Sequence, residues 1–159
     1  RELGIIRDTM NKVKPLINLP HVIVITGLRR VGKSTLLRQI MKFEYNDQNF
    51  YYISFEDERF KDFPCSQFDI LYEVLLELFG SHKTFFLDEI QNIEGYESFL
   101  RRFSDNGFKF IITGSNANLL SSELGTKLTG RHIDVVLFPF SGIRLIGPFH
   151  LLPPESETF

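Results

Sequence analysis

The chain has a single cysteine, Cys65, and no tryptophan among its 159 residues. A lone thiol excludes an intrachain disulfide and fits a reducing compartment, so a cytoplasmic protein is expected. Long apolar runs are missing too. Nothing approaches the roughly 18 residues that argue a membrane helix, the first residues lack the charged-then-apolar order of a signal peptide, and no membrane partner is expected. The four histidines, His21, His82, His132 and His150, are scattered with no pair at zinc spacing, which argues against a structural metal. Charge of one sign is also lacking: 18 basic against 20 acidic side chains give a formal net charge of -2. No global positive field would recruit nucleic acid, which stays open as a partner only through local pairs such as Arg29-Arg30 and Arg101-Arg102. There is no internal repeat and no low-complexity tract.

What is present is ordinary globular composition, 43% hydrophobic and 24% charged, at a length that suits one domain with a real core. The most informative stretch is Gly27-Leu28-Arg29-Arg30-Val31-Gly32-Lys33-Ser34-Thr35, which fits the phosphate-binding pattern G-x-x-x-x-G-K-[ST] at every fixed position. His21 to Thr26 before it is a β-branched strand pattern, and Leu36, Leu37, Ile40 and Met41 after it recur at helical spacing. Such a strand, loop and helix would cradle a triphosphate. Gly27 and Gly32 can adopt backbone angles closed to other residues, so amides from about Arg29 to Ser34 would converge as an anion nest at a helix N-terminus. Lys33, expected to be solvated in the empty site, would reach the β and γ phosphates, and the Ser34 hydroxyl would ligate Mg2+.

Helical spacing marks Glu2 to Leu19, limited by Pro15 and Pro20, then Ser66 to Phe79 with Ser66 as its cap and Gly80 past its end, and Tyr96 to Ser104. Strand patterns cover Phe50 to Phe55, Thr84 to Leu87, Phe108 to Thr113 and Ile133 to Phe138. With the strand before the loop this predicts an α/β fold, a five-stranded, mainly parallel sheet with helices on both faces. Ligands in such sheets sit at the carboxyl ends of the strands, where Gly27, Asp88-Glu89 and Thr113 to Asn116 would share a rim. The acidic run Glu56-Asp57-Glu58 reads mainly as a solvated loop, with cation binding as the lesser alternative.

The apolar strand ending in Asp88-Glu89 is the partner that a phosphate loop requires. Asp88 would hold the Mg2+ shell, and Glu89 would polarise an attacking water as a general base. Ser115 or Asn116, after the next strand, would sense the γ phosphate or the water, unless they merely form a turn. Arg131, before the last strand and expected on the same rim, is either structural or offered to a neighbouring subunit's γ phosphate.

These stretches, together with Tyr52-Ile53-Ser54-Phe55-Glu56-Asp57, Asp88-Glu89-Ile90-Gln91, Ile112-Thr113-Gly114-Ser115-Asn116 and Leu128-Thr129-Gly130-Arg131, resemble the AAA-type P-loop ATPases of archaea and bacteria. In that family the ATPase domain is followed by a nuclease-like domain. The resemblance implies a P-loop NTPase three-layer sandwich over residues 1–140, with 141–159 as the tail or stump of a missing region, and ATP as the nucleotide, since no residue visibly reads adenine. It implies Mg-dependent ATP hydrolysis coupled to a conformational change in a homo-oligomer or another partner. A nucleotide-dependent binding switch with little turnover and a P-loop small-molecule kinase are the alternatives, and Glu89 favours hydrolysis over the kinase.

Overall fold

The computed structural model describes residues 2–45, 49–115, 122, 124–128, 130–139 and 142–147. Its centre is β1 (Val22–Gly27), buried at every position but the last. Alternate residues of β1 enter two separate cores: Val22 and Val24 one, Ile23 and Ile25 the other. A strand buried on both faces needs a helical layer on each, which is why its sequence is continuously apolar rather than alternating. On one face lie α1 (Glu2–Ile17) and α2 (Lys33–Glu44), contributing Val13, Leu16, Leu36, Leu37 and Ile40. On the other lie α3 (Phe68–Phe79) and α4 (Tyr96–Asp105), contributing Phe68, Leu75, Phe99, Leu100 and Phe103. The rings of Phe68 and Phe99 stack at 4.0 Å between these two helices.

The remaining strands are β2 (Tyr51–Ser54), β3 (Thr84–Asp88), β4 (Lys109–Gly114), β5 (His132–Phe138) and β6 (Gly142–Ile146), in the order β2-β3-β4-β1-β5-β6. All neighbours are parallel except β5 and β6. The register aligns Thr26 with Gly114 and Ser54 with Asp88, so the carboxyl ends of β1 to β4 form one edge. That edge carries the phosphate loop.

Three expectations need correction. Among the described residues the sheet has six strands, not five, because residues 142–146 of the expected tail form an antiparallel strand on β5. A short turn suffices for an antiparallel neighbour, and Ile143 and Leu145 pack against the core while glycines at 142 and 147 disguise the segment as loop. Pro15 does not end α1, which runs to Ile17. Proline removes one backbone hydrogen bond, but fully buried Val13 and Leu16 keep the last turn packed. Ser66 is not the cap of α3. It lies within a 3-10 turn, Cys65–Gln67, and Gln67 occupies the cap position.

Candidate functional site

The phosphate loop leaves β1 at Gly27, and that residue must be glycine for two reasons. Its φ of 152° is left of the ordinary range, and a Cβ there would stand 2.7 Å from the Leu137 carbonyl oxygen and 2.8 Å from Val31 Cγ1. At Gly32, with φ 104°, only the backbone angle demands glycine, since a Cβ would meet nothing within 4 Å. Gly32 then starts α2, accepting from the amide of Leu36 at 2.9 Å. Arg30 also takes a positive φ of 63°, which a side chain tolerates only at a cost of about 1–2 kcal/mol.

Lys33 is buried rather than solvated, with 4% of its surface exposed. Its ammonium donates to the carbonyls of Gly27 at 3.1 Å and Leu28 at 2.9 Å, within its own loop. The expectation of a solvated side chain overlooked that a buried ammonium must be hydrogen-bonded, and the loop's own carbonyls lie within reach.

Beside the loop stands Asp88, 2% exposed at the end of β3. Its Oδ1 accepts from Ser34 Oγ at 3.1 Å and from Thr113 Oγ1. Thr113 in turn accepts from the amide of Glu89 at 2.9 Å. Since β4 lies between β3 and β1 in the sheet, Thr113 is the brace that joins the acidic strand end to the loop strand. Its role was not assigned from the sequence; the signal was the Thr-Gly-Ser turn. Ser34 and Asp88 together offer a hydroxyl and a carboxylate oxygen side by side, hard donors of the kind Mg2+ takes.

Glu89 follows at φ 55°, a left-handed residue that turns the chain into a 3-10 turn, Ile90–Asn92. Its carboxylate accepts from Ser115 Oγ at 2.9 and 3.2 Å and from Gln91 Nε2. Ser115 therefore meets the acid at the rim, while Asn116 lies outside the described residues. Asn92 Nδ2 anchors the turn to the Phe55 carbonyl at 3.1 Å. A cleft of about 430 Å3 opens here, lined by Arg29, Arg30 and residues 32–35 of the loop and by Glu56, Glu89, Gln91 and Asn92.

Two candidates lie elsewhere. Asp57 caps the turn Glu58–Phe60 and pairs with Arg59 at 2.6 Å; those hydrogen bonds hold its carboxyl down at about 2. Arg131 precedes β5 at the amino edge of the sheet, opposite the cleft, where its main-chain carbonyl accepts from the Val22 amide. Its guanidinium pairs with Asp105 at 2.5 Å. The expectation that it shares the loop's rim is not met within this chain, because an arginine before a parallel strand enters the sheet at the end opposite the loop. Cys65 is half-buried, donates to the Gly95 carbonyl and has its thiol pushed up by burial, which makes it a poor nucleophile. No helix among the described residues is long and apolar enough to cross a membrane.

Residues 20–143 match the model of a family described as an AAA domain. An uncharacterized protein of Methanocaldococcus jannaschii is 39% identical over 118 residues, covering 74% of this chain and 26% of its own. An uncharacterized protein of Haemophilus influenzae is 37% identical over 125 residues, covering 74% of this chain and 31% of its own. The chain thus spans about a quarter to a third of the length of these curated relatives. A crystal structure of a DNA replication initiation factor aligns with 84% of this chain and 44% of its own, at a TM-score of 0.44 and 14% identity.

Proposed function

The chain belongs to the AAA domain family, and on that footing we propose that it binds ATP at the Gly27–Thr35 loop and hydrolyses it with Glu89 as general base. The observation that carries this reading is the Glu89 carboxylate on the wall of the cleft that faces Lys33 and Ser34, held there by Ser115 and Gln91. In the bound state Lys33 exchanges the Gly27 and Leu28 carbonyls for β and γ phosphate oxygens, and the loop amides from Arg29 to Thr35 cradle the chain of phosphates. Ser34 and Asp88 would hold Mg2+, which when bound neutralises charge developing on the phosphate oxygens. Ser115, bonded to Glu89, links the state of the base to β4. The hydrogen-bond exchange at Lys33 gives nucleotide arrival a built-in structural consequence, which suits coupling to a partner or to a second copy of the chain. In this reading the ATPase domain, expected over residues 1–140, extends through β6, and it works in the cytoplasm.

Glu89→Gln tests the chemistry, since it keeps size and polarity and removes the base. ATP should still bind while turnover falls by roughly 10² or more, equivalent to about 2.7 kcal/mol in the barrier. Phosphate release from ATP and GTP, with and without Mg2+, DNA and RNA, is the measurement. Turnover that survives the substitution would reduce Glu89 to the residue that starts its turn, and a parent chain that binds without turnover would favour the switch.

A further inference from the structure

Gln91 lies two residues beyond the proposed base, on the same wall of the cleft, and nothing above gives it a role beyond its contact with Glu89. Its Nε2 donates to Glu89 Oε2. A carboxylate only accepts hydrogen bonds, so this contact fixes the amide: nitrogen toward Glu89, oxygen on the opposite side. That oxygen, Oε1, is buried and has no hydrogen-bond partner among the described residues. A buried carbonyl oxygen without a donor is uncommon and asks for an explanation. Here the residue lines the same cleft as Lys33 and Ser34.

We propose that Gln91 is a second water-positioning group: its Nε2 orients the Glu89 carboxylate, and its Oε1 accepts a hydrogen from the attacking water when ATP occupies the cleft. This rests on the hydrolase reading of Glu89. In the step concerned, the water oxygen bonds to the γ phosphorus as the bond from that phosphorus to the β,γ-bridging oxygen breaks. The bridging oxygen leaves with ADP and keeps the electron pair. One water proton passes to Glu89 and the other, the one that Gln91 accepts, stays on the product phosphate. Two acceptors on one water fix both its position and the direction of its lone pair, which a single carboxylate does not. The backbone supports the assignment. Glu89 adopts the left-handed conformation that starts the 3-10 turn, and that turn returns Gln91 to the carboxylate two residues before it.

The test uses Gln91→Met, which keeps the length of the side chain and removes both donor and acceptor, on the full chain. Its kcat should fall about tenfold or more with the KM for ATP changed less than about twofold, the pattern of a contact made in the transition state. Binding of ADP with tetrafluoroaluminate and Mg2+, which imitates the transferring phosphoryl group with its in-line water, should weaken by a similar factor. Binding of ADP with beryllium fluoride, which imitates the ground state, should not. A purely structural role would lower both affinities together or shift the unfolding midpoint, and that result overturns the proposal. So does parental tetrafluoroaluminate binding in Gln91→Met. The underlying reading is judged separately: if Glu89→Gln keeps the parental rate, or the parent forms no tetrafluoroaluminate complex, the hydrolase itself is wrong. If Glu89→Gln is inactive while Gln91→Met is not, only the role of Gln91 falls.

Discussion

Lys33 and Lys109 stand at opposite edges of the same sheet, and each ends on backbone carbonyls. Lys33 donates to Gly27 and Leu28 of its own loop; Lys109, the first residue of β4, donates to Leu16, Leu19 and His21 at 3.3, 2.7 and 2.6 Å. The contacts are alike, but the acceptors differ. Leu16 lies in the last turn of α1 and Leu19 and His21 in the link to β1, so Lys109 fastens a helix end, with its orphan carbonyls, to the sheet. The acceptors of Lys33 belong to a loop beside a cleft, where an anion can replace them. Backbone strain separates the edges further. The two described non-glycine residues at positive φ, Arg30 and Glu89, both line the cleft. At the amino edge, side chains such as Lys109 and Tyr51 hold the fold through main-chain acceptors. At the carboxyl edge, Ser34, Asp88, Thr113, Glu89, Gln91 and Ser115 also bond to one another.

Lys109→Met should break the amino edge most. It preserves much of the packing but removes the lysine donor from three carbonyls, of which Leu16 keeps the Leu19 amide, so the chain should lose about 2 kcal/mol of stability while ATP affinity stays within twofold. Denaturant unfolding and calorimetry would measure the two. A pH signature accompanies this. Burial pushes the Lys109 ammonium down to about 8, below the 10.5 of an ordinary lysine. Between those values the unfolded chain binds more protons than the folded one, so Lys109 adds stability as pH rises from about 8 to 10.5. The gap between parent and Lys109→Met should therefore widen over that range; a gap that narrows would mean that the ammonium form is what the three carbonyls favour.

Lys33→Ala should do the reverse. ATP affinity should drop about tenfold or more, at least about 1.4 kcal/mol for a charge-assisted contact, with little change in unfolding because the cleft admits water to the vacated carbonyls. Comparable losses of stability in the two lysine variants would erase the distinction between a waiting ligand group and a structural brace.

Much of the carboxyl edge was legible because its chemistry fixes residue types at fixed spacing: Gly27 and Gly32 for backbone angle, Lys33 and Ser34 for phosphate and metal, Asp88-Glu89 after an apolar strand. The amino edge was not, because a lysine opening a strand looks like any solvated lysine until the end of α1 is folded over it. β6 was hidden for a local reason, since an edge strand between glycines has turn composition and shows its pairing only against β5. The burial of Lys33 was not legible, because the motif names the residue but not the loop carbonyls that its ammonium meets. Gln91 was visible in the string Asp-Glu-Ile-Gln, but its return to Glu89 depends on a left-handed residue that no propensity would place at a glutamate.

Arg131 is the residue through which the comparison can be sharpened, for it sits at the amino edge, and its sequence position offers two readings, a structural one and a part in the chemistry of another subunit's carboxyl edge. Within its own chain its pairing with Asp105 is roughly half exposed on both sides, and such pairs are worth about 0–1 kcal/mol. Arg131→Ala should therefore have the smallest effect on stability of these variants, no more than about 1 kcal/mol. A guanidinium held this loosely at the edge remote from its own cleft cannot serve that cleft, but it can be presented to a neighbour, where a planar, permanent charge suits the spread charge of the γ-phosphoryl group. Mixing separates the possibilities. An Arg131→Ala subunit keeps its own Glu89 and can borrow the arginine of an adjoining Glu89→Gln subunit, so mixtures of the two weakly active variants should recover part of the parental rate, and activity per parent chain should rise with concentration. If light scattering shows mixed oligomers and no rate returns, Arg131 belongs with Lys109, bracing the amino edge through the Leu128 carbonyl and Asp105; the cleft would then have to draw its stabilising charge from within one chain, where Arg29 and Arg30 already line it.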